Sequence, residues 1–432
     1  MLYRVKKVLR KLVPYGMILH FHKCRSVAAM VLNGFPARRM KVIAIAGTKG
    51  KTTTTNMIAK VMEAGGYKVA MLSTANFQIG KTKWLNNVKL TTPSPFYLHN
   101  FLKKASKEKC DYAIIEVSSH GLVQYRHYGI KYQTVVLTNM MSDHLDYHRT
   151  YENYKNSHDA LITKDLKNLI INYDDEDLRS FLSDTKANRY VFSLKGYSEI
   201  PDANLVRASE IVFSKTGSGF TIIFNREDKR SVNIPLIGEF NIYNSLAAFC
   251  AGLAEGISPD NIKSGLESVK EVPGRLEKIA EGQNFDVIVD YAHSPDSLKS
   301  VYSAVKPYVR NRLIAVLGGT GDRDASYRAK AGKLADEYAD VVIVTNEDPY
   351  SEDPEKIMDQ VLSGIRNKKA GKDLFRIYDR SEAIERAIKM AAMGDMVIIT
   401  GKGAEQFMVV GDKKIPWDDR VIARNALKAD KI

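Results

Sequence analysis

The sequence predicts an α/β protein of more than one domain, and three observations carry that reading. At 432 residues the chain exceeds what one hydrophobic core usually serves. An apolar run at 42–46 enters a glycine-containing turn and then a helical pattern, the strand–loop–helix order of a phosphate cradle. Beyond it, short apolar runs alternate with helix-like stretches, which implies parallel sheets covered by helices.

Taken in order, residues 1–12 set Arg4, Lys6, Lys7, Arg10 and Lys11 among Leu2, Val5, Val8, Leu9 and Leu12 at helical spacing. This reads as a helix packed on its own domain, with a membrane-surface helix as the alternative. From Leu12 to Phe35 the apolar pattern is interrupted by Pro14, Gly16, His20, His22, Lys23, Arg25 and Asn33, so neither a signal peptide nor a membrane span is expected. Residues 1–40 are therefore a short helical N-terminal segment. Residues 41–271 carry the strand-like runs Val42–Ala46, Tyr112–Val117 and Val135–Leu137 and a β-rich insert near 189–237, and read as a central P-loop domain with a mostly parallel sheet. Residues 272–432, with runs at Val287–Val289, Leu313–Leu317, Val341–Val344 and Met396–Ile399, read as a C-terminal Rossmann-like α/β domain.

Apolar residues make up 44% and charged residues 26%, a globular rather than a disordered mixture. Cys24, Cys110 and Cys250 lie far apart without a CxxC spacing, which argues against structural zinc and a disulfide framework and fits a reducing cytoplasm. A formal charge of +14 suits phosphorylated small substrates; no basic-aromatic module stands out, so nucleic acid is not an expected partner.

The loop reads Gly47, Thr48, Lys49, Gly50, Lys51, Thr52, Thr53. Glycines let backbone N–H groups close on phosphate oxygens, Lys51 can neutralise terminal phosphates, and the Thr52 hydroxyl can sit on Mg2+. The six-position Walker spacing would need glycine where Ile45 stands, so the loop is a shorter variant. Downstream, Glu116 ends a strand-like run before Val-Ser-Ser-His-Gly121 and suits either a metal ligand or a surface acid. Asp143-His-Leu-Asp-Tyr-His148 follows another such run, where Asp143 could also serve as a helix N-cap.

Gly-Thr-x-Gly-Lys-Thr-Thr resembles the phosphate-binding signature of the Mur ligases and the related folylpolyglutamate synthetases, with Lys49 where asparagine is usual. The resemblance runs from about residue 40 to the C-terminus and is closest to the branch that adds the third residue to UDP-N-acetylmuramoyl-dipeptide. It implies an ATP-dependent amide-bond ligase of peptidoglycan precursor synthesis: the dipeptide carboxylate attacks the ATP γ-phosphate, and the amine of a free amino acid attacks the acyl-phosphate. Positioning and charge neutralisation carry such chemistry.

The resemblance also assigns roles. Lys51, Glu116 and His144 become catalytic, with Thr52, Glu116 and His144 around magnesium. In Gly238-Glu-Phe-Asn-Ile-Tyr-Asn244, Asn241 would meet adenine, while Arg275 would reach the phosphates and Asp290 the ribose. Thr91, Thr92, Ser118, Gln124 and Arg126 match positions that hold the muramoyl peptide. Arg323, the stretch Glu347, Asp348, Pro349 and Tyr350, and Gly401 and Glu405 match amino-acid-binding positions.

Three departures accompany it. Diaminopimelate-adding members carry Asp-Asn-Pro-Arg where this chain has Glu347-Asp-Pro-Tyr350; loss of the arginine and gain of negative charge favour a cationic amino acid such as lysine. His158 stands where the family has a carbamylated, magnesium-binding lysine, so that metal site is rebuilt, uses His158 directly, or is absent; a plain surface histidine is the alternative. Only 46 residues precede Gly47, about half of what the branch uses to bind uridine. The competing readings are a folylpolyglutamate-type or other Mur-like ligase, a P-loop nucleotide-binding switch, and a non-catalytic nucleotide-binding partner.

Overall fold

A computed structural model describes residues 13–183, 185–226 and 228–429. The basic pattern at 1–12 lies outside these. Two compact units emerge, Met1–Lys270 and Glu271–Ile432.

In the first unit the chain opens with the helix Tyr15–Leu32, started by Pro14, whose carbonyl accepts from Met17 and Ile18. The residues that interrupt the apolar pattern change the helix's polarity without ending it, because a glycine in the first turn and histidines on a half-exposed surface cost little. No described helix is long and apolar enough to cross a membrane.

The sheet behind it is built from β1 (Lys41–Ala46), β2 (Val69–Leu72), β3 (Asn76–Ile79), β4 (Thr82–Leu85), β5 (Tyr112–Glu116), β6 (Thr134–Leu137), β7 (Asn168–Asn172), β8 (Asn188–Ser193), β9 (Asn204–Ser214), β10 (Gly217–Phe224) and β11 (Asp228–Ile234). Their order is β11-β10-β9-β8-β7-β6-β1-β5-β2-β3-β4. The strands from β9 to β2 run parallel, while β2-β3-β4 and β9-β10-β11 are antiparallel extensions. The insert expected near 189–237 is thus a continuation of the main sheet. β1, β5, β6 and β7 are almost wholly apolar and buried because helices cover both faces. The helix Lys51–Ala64 packs against Glu239–Ala254 and Pro259–Glu267.

The second unit orders β12 (Glu277–Lys278), β13 (Asp286–Asp290), β14 (Leu313–Leu317), β15 (Val341–Val344), β16 (Leu374–Arg376) and β17 (Met396–Thr400) as β12-β13-β17-β14-β15-β16. All pairs are parallel except β12-β13. A hairpin of β18 (Phe407–Val410) and β19 (Lys413–Pro416) follows. Its core is aliphatic, with Val287, Ile314, Ile343, Val397 and Ile399 buried beneath the helices Arg380–Lys389 and Asp419–Ala429.

Candidate active site

β1 pairs with β5 on one side and β6 on the other, and the chain departs to opposite halves of the sheet from these strands. Open α/β sheets bind ligands outside the carboxyl ends of strands at such a reversal. The phosphate loop leaves β1 there. Gly50 closes it at φ +81°, and a Cβ would fall 2.4 Å from Asn244 Oδ1, so only glycine fits. The helix begins at Lys51, and its first-turn amides and dipole favour an anion.

Lys51 folds back on the loop, donating to the carbonyls of Gly47 (2.8 Å) and Thr48 (2.9 Å). Lys49 donates its amide to Asn139 Oδ1 and pairs its ammonium with Asp143 at 3.0 Å. Asp143 is not the helix N-cap considered above; that position is His144, in left-handed conformation, and Asp143 accepts its N–H.

Glu116, the last residue of β5, is 1% exposed and no surface acid. The Thr52 hydroxyl lies 3.1–3.2 Å from both of its oxygens, and the Thr74 amide donates to Oε2 at 2.6 Å. Thr74 Oγ1 sits 2.8 Å from Glu116 Oε1 and 2.9 Å from Thr91 Oγ1. Thr92 Oγ1 accepts the Ser118 amide at 2.9 Å, Arg126 donates to Thr92 O and to Gln124 Oε1, and Gln124 donates to Tyr147. Thr92 Oγ1 also donates to the Glu116 backbone carbonyl at 3.4 Å, so all five residues assigned to the muramoyl peptide connect to Glu116. Thr74, which bridges Glu116 to Thr91, was missed; its only signal is a Ser-Thr pair just after β2.

Histidines gather nearby. The His120 ring lies 4.8 Å from that of His144 and 5.5 Å from that of His148, whose Nε2 is 3.0 Å from Ser119 Oγ. His158 is fully buried, not a surface residue. Its Nδ1 faces the Tyr154 carbonyl at 3.1 Å, its Nε2 has no partner among the described residues, and burial lowers its pKa to about 4. The Tyr154 ring stands edge-on to it, with its hydroxyl 2.7 Å from Thr48 Oγ1 of the phosphate loop. Among the described residues no three His, Cys, Asp or Glu side chains gather as a metal site. The Thr52–Glu116 pair still suits Mg2+, which keeps several waters and takes one or two carboxylates with substrate phosphates.

Asn241 is buried in the helix Glu239–Ala254; its amide donates to Ile237 O and its Oδ1 accepts from Asn244, which in turn accepts from Thr54 of the phosphate-loop helix.

In the second unit the remaining candidates lie at or after the carboxyl ends of β13, β14, β15 and β17, except Arg275, which sits in the turn before β12. Asp290 is buried, both oxygens hold amides (Leu276 and Ala292, each 2.7 Å), and burial raises its pKa. The Arg275 guanidinium lies over the Tyr291 ring, 4.3 Å from its centroid. Arg323 is exposed on the loop after β14. Glu347 is buried, accepts from Thr320 at 2.8 Å, and has its pKa raised by burial. Asp348 is also buried and pairs with Lys402 at 3.0 Å, because the turn after β17 folds that lysine inward. The negative charge expected at 347–348 is therefore partly offset from within, by a lysine that Glu405 shares. Pro349 O approaches Gly321 closely enough that a Cβ there would lie 1.9 Å away. Tyr350, at φ +49°, exchanges backbone bonds with Val409 and Gly411 beside the hairpin. Gly401 leaves room for the Glu347 carboxylate, which a Cβ would meet at 2.2 Å, and Glu405 accepts from Lys402.

The chain matches two family models, described as Mur ligase middle domain over residues 45–252 and as Mur ligase, glutamate ligase domain over residues 274–403. It is 35% identical over 418 residues to the UDP-N-acetylmuramoyl-L-alanyl-D-glutamate--2,6-diaminopimelate ligase of Clostridium tetani, spanning 96% of this chain and 83% of that one. It is 34% identical over 419 residues to the UDP-N-acetylmuramyl-tripeptide synthetase of Roseiflexus sp., spanning 92% and 81%. A solved structure of a UDP-N-acetylmuramoyl-L-alanyl-D-glutamate--2,6-diaminopimelate ligase superposes with a TM-score of 0.64 at 29% identity, covering 95% of this chain and 84% of that one.

Proposed function

The chain belongs to the Mur ligase family and is an ATP-dependent carbon–nitrogen ligase, and from that premise we propose that it adds a free amino acid to a UDP-N-acetylmuramoyl-dipeptide through an acyl-phosphate, in peptidoglycan precursor synthesis. One observation carries the reading: the buried Glu116 carboxylate touches Thr52 of the phosphate loop and, through Thr74, the loop of Thr91. A nucleotide and a muramoyl peptide can thereby be addressed by a single connected set of side chains.

In this proposal Lys51 leaves the loop carbonyls for the terminal phosphates of ATP, with Gly47 to Thr53 around them. Thr52, Glu116 and His144 would hold Mg2+, which supplies charge neutralisation during phosphoryl transfer. Asn241, Arg275 and Asp290 serve the nucleotide, and Thr92, Ser118, Gln124 and Arg126 orient the peptide. Residues 41–271 carry the phosphate loop and the peptide positions, and residues 272–432 serve the amino acid and, through Arg275 and Asp290, the nucleotide. The pairing of Asp348 with Lys402 weakens the charge argument for lysine, and the Clostridium tetani relative is a diaminopimelate ligase, so both amino acids belong in the test.

The test is ADP release from ATP and Mg2+ with UDP-N-acetylmuramoyl-L-Ala-D-Glu against single amino acids, including L-lysine and meso-diaminopimelate. Release that needs both acceptor and amino acid is expected. Release that needs neither would replace the ligase reading with a nucleotide switch.

A further inference from the structure

Lys402 lies between Gly401 and Gly403, a setting that in sequence looks like an exposed turn, yet its side chain is fully buried. Its ammonium has three acceptors, Asp348 Oδ2 at 3.0 Å, Glu405 Oε2 at 2.9 Å and Phe407 O at 3.1 Å, one for each N–H. Asp348 uses its other oxygen to accept the Val409 amide at 2.7 Å. One buried cation thus ties together the segment after β15, the turn after β17 and the start of β18. Burying a charged pair is seldom the most stable solution, since packed apolar residues of similar volume often do as well or better. What a saturated ammonium does supply is register: three backbone segments held at fixed distances by directional bonds.

We infer that Lys402 is a positioning residue for the amino-acid substrate, locking Asp348, Tyr350 and Glu405 into one rigid frame by holding one oxygen of each of its two carboxylate partners. The inference rests on the ligase reading above and deepens it: the incoming side chain is met by Tyr350 and Arg323 in a frame whose acids are fixed in place by one lysine.

The experiment uses the full chain and measures ADP release with amino acid and ATP varied in turn, alongside thermal unfolding, for wild type, Lys402→Met, Lys402→Arg and the double variant Lys402→Met/Asp348→Asn. Lys402→Met is expected to raise KM for the amino acid by about ten- to a hundredfold, the cost of small misplacements in a preorganised site, with KM for ATP unchanged. Lys402→Arg should recover part of that loss. The double variant removes the unpaired buried carboxylate, so it should regain thermal stability while keeping the raised KM; it decides the matter if Lys402→Met fails to fold. Recovery of both Tm and amino-acid KM in the double variant, or equal changes in both KM values, would reduce Lys402 to a stabilising residue and overturn the inference. A wild type that turns over without any amino acid would instead remove the ligase reading and the inference with it.

Discussion

Glu116 illustrates what a single residue does here. An isolated buried carboxylate would protonate or be expelled, but two threonine hydroxyls and an amide satisfy both of its oxygens. Glu116→Gln keeps an acceptor for the Thr74 amide, removes the charge and turns the other oxygen into an NH2 donor, which the rotatable threonine hydroxyls can accept. It should leave the unfolding temperature nearly unchanged, lower kcat by at least about a hundredfold, and move the Mg2+ requirement to higher concentration. A magnesium titration of ADP release checks this, and an unchanged midpoint would count against Glu116 as a metal ligand. His158 makes a second prediction at this scale. Its folded pKa of about 4 lies below that of an unfolded imidazole, so below about pH 6.5 the unfolded chain binds the extra proton. Stability contributed by keeping it neutral is full above pH 6.5 and is lost as pH falls from there toward 4, about 2 kcal/mol between pH 7.5 and 5. Urea unfolding at the two pH values should show that loss, and His158→Gln should reduce it; an equal loss in the variant would contradict the assigned burial.

Between elements, the helices Arg380–Lys389 and Asp419–Ala429 are joined by a fully buried ion pair, Arg380 to Asp419 at 2.6 Å, with Arg380 also donating to Thr400 O at the end of β17. Arg380→Met alone strands Asp419 and should cost about 3–5 kcal/mol, whereas Arg380→Met with Asp419→Leu should recover much of it. Chemical denaturation of the three proteins measures this, and an additive loss in the double variant would show that the helices are held otherwise. Elements were also the level at which the sequence was most readable. Unbroken apolar runs such as Val341–Val344 have one common explanation, a strand buried on both faces, and each run named in advance is a strand. The antiparallel strands β9 to β11 were visible as β-rich, but period-2 patterning says nothing about which sheet a strand joins. Within the site, the phosphate loop was legible because glycine, lysine and threonine at that spacing have a narrow chemical use. Thr74 and Lys402 were not, since a threonine after a strand and a lysine between glycines are common in solvent, and only the tertiary fold turns them inward. Burial of His158 and the pairing of Asp348 escaped for the same reason: both depend on contacts 54 residues away or on packing around a ring.

For the whole molecule, each unit sets most of its candidate residues at or just after the carboxyl ends of parallel strands, so one architectural rule is used twice. The surplus of 64 basic over 50 acidic residues is consistent with anionic substrates, nucleotide and muramoyl peptide alike. The claim on which everything else depends is that the peptide carboxylate is phosphorylated before the amine arrives. Isotope transfer tests it most directly: with the reacting carboxylate of the UDP-N-acetylmuramoyl-dipeptide labelled with oxygen-18, turnover in the presence of ATP, Mg2+ and the amino acid should deliver one labelled oxygen to each inorganic phosphate released. Product formation with unlabelled phosphate would contradict the acyl-phosphate and, with it, the roles assigned to Lys51 and Glu116.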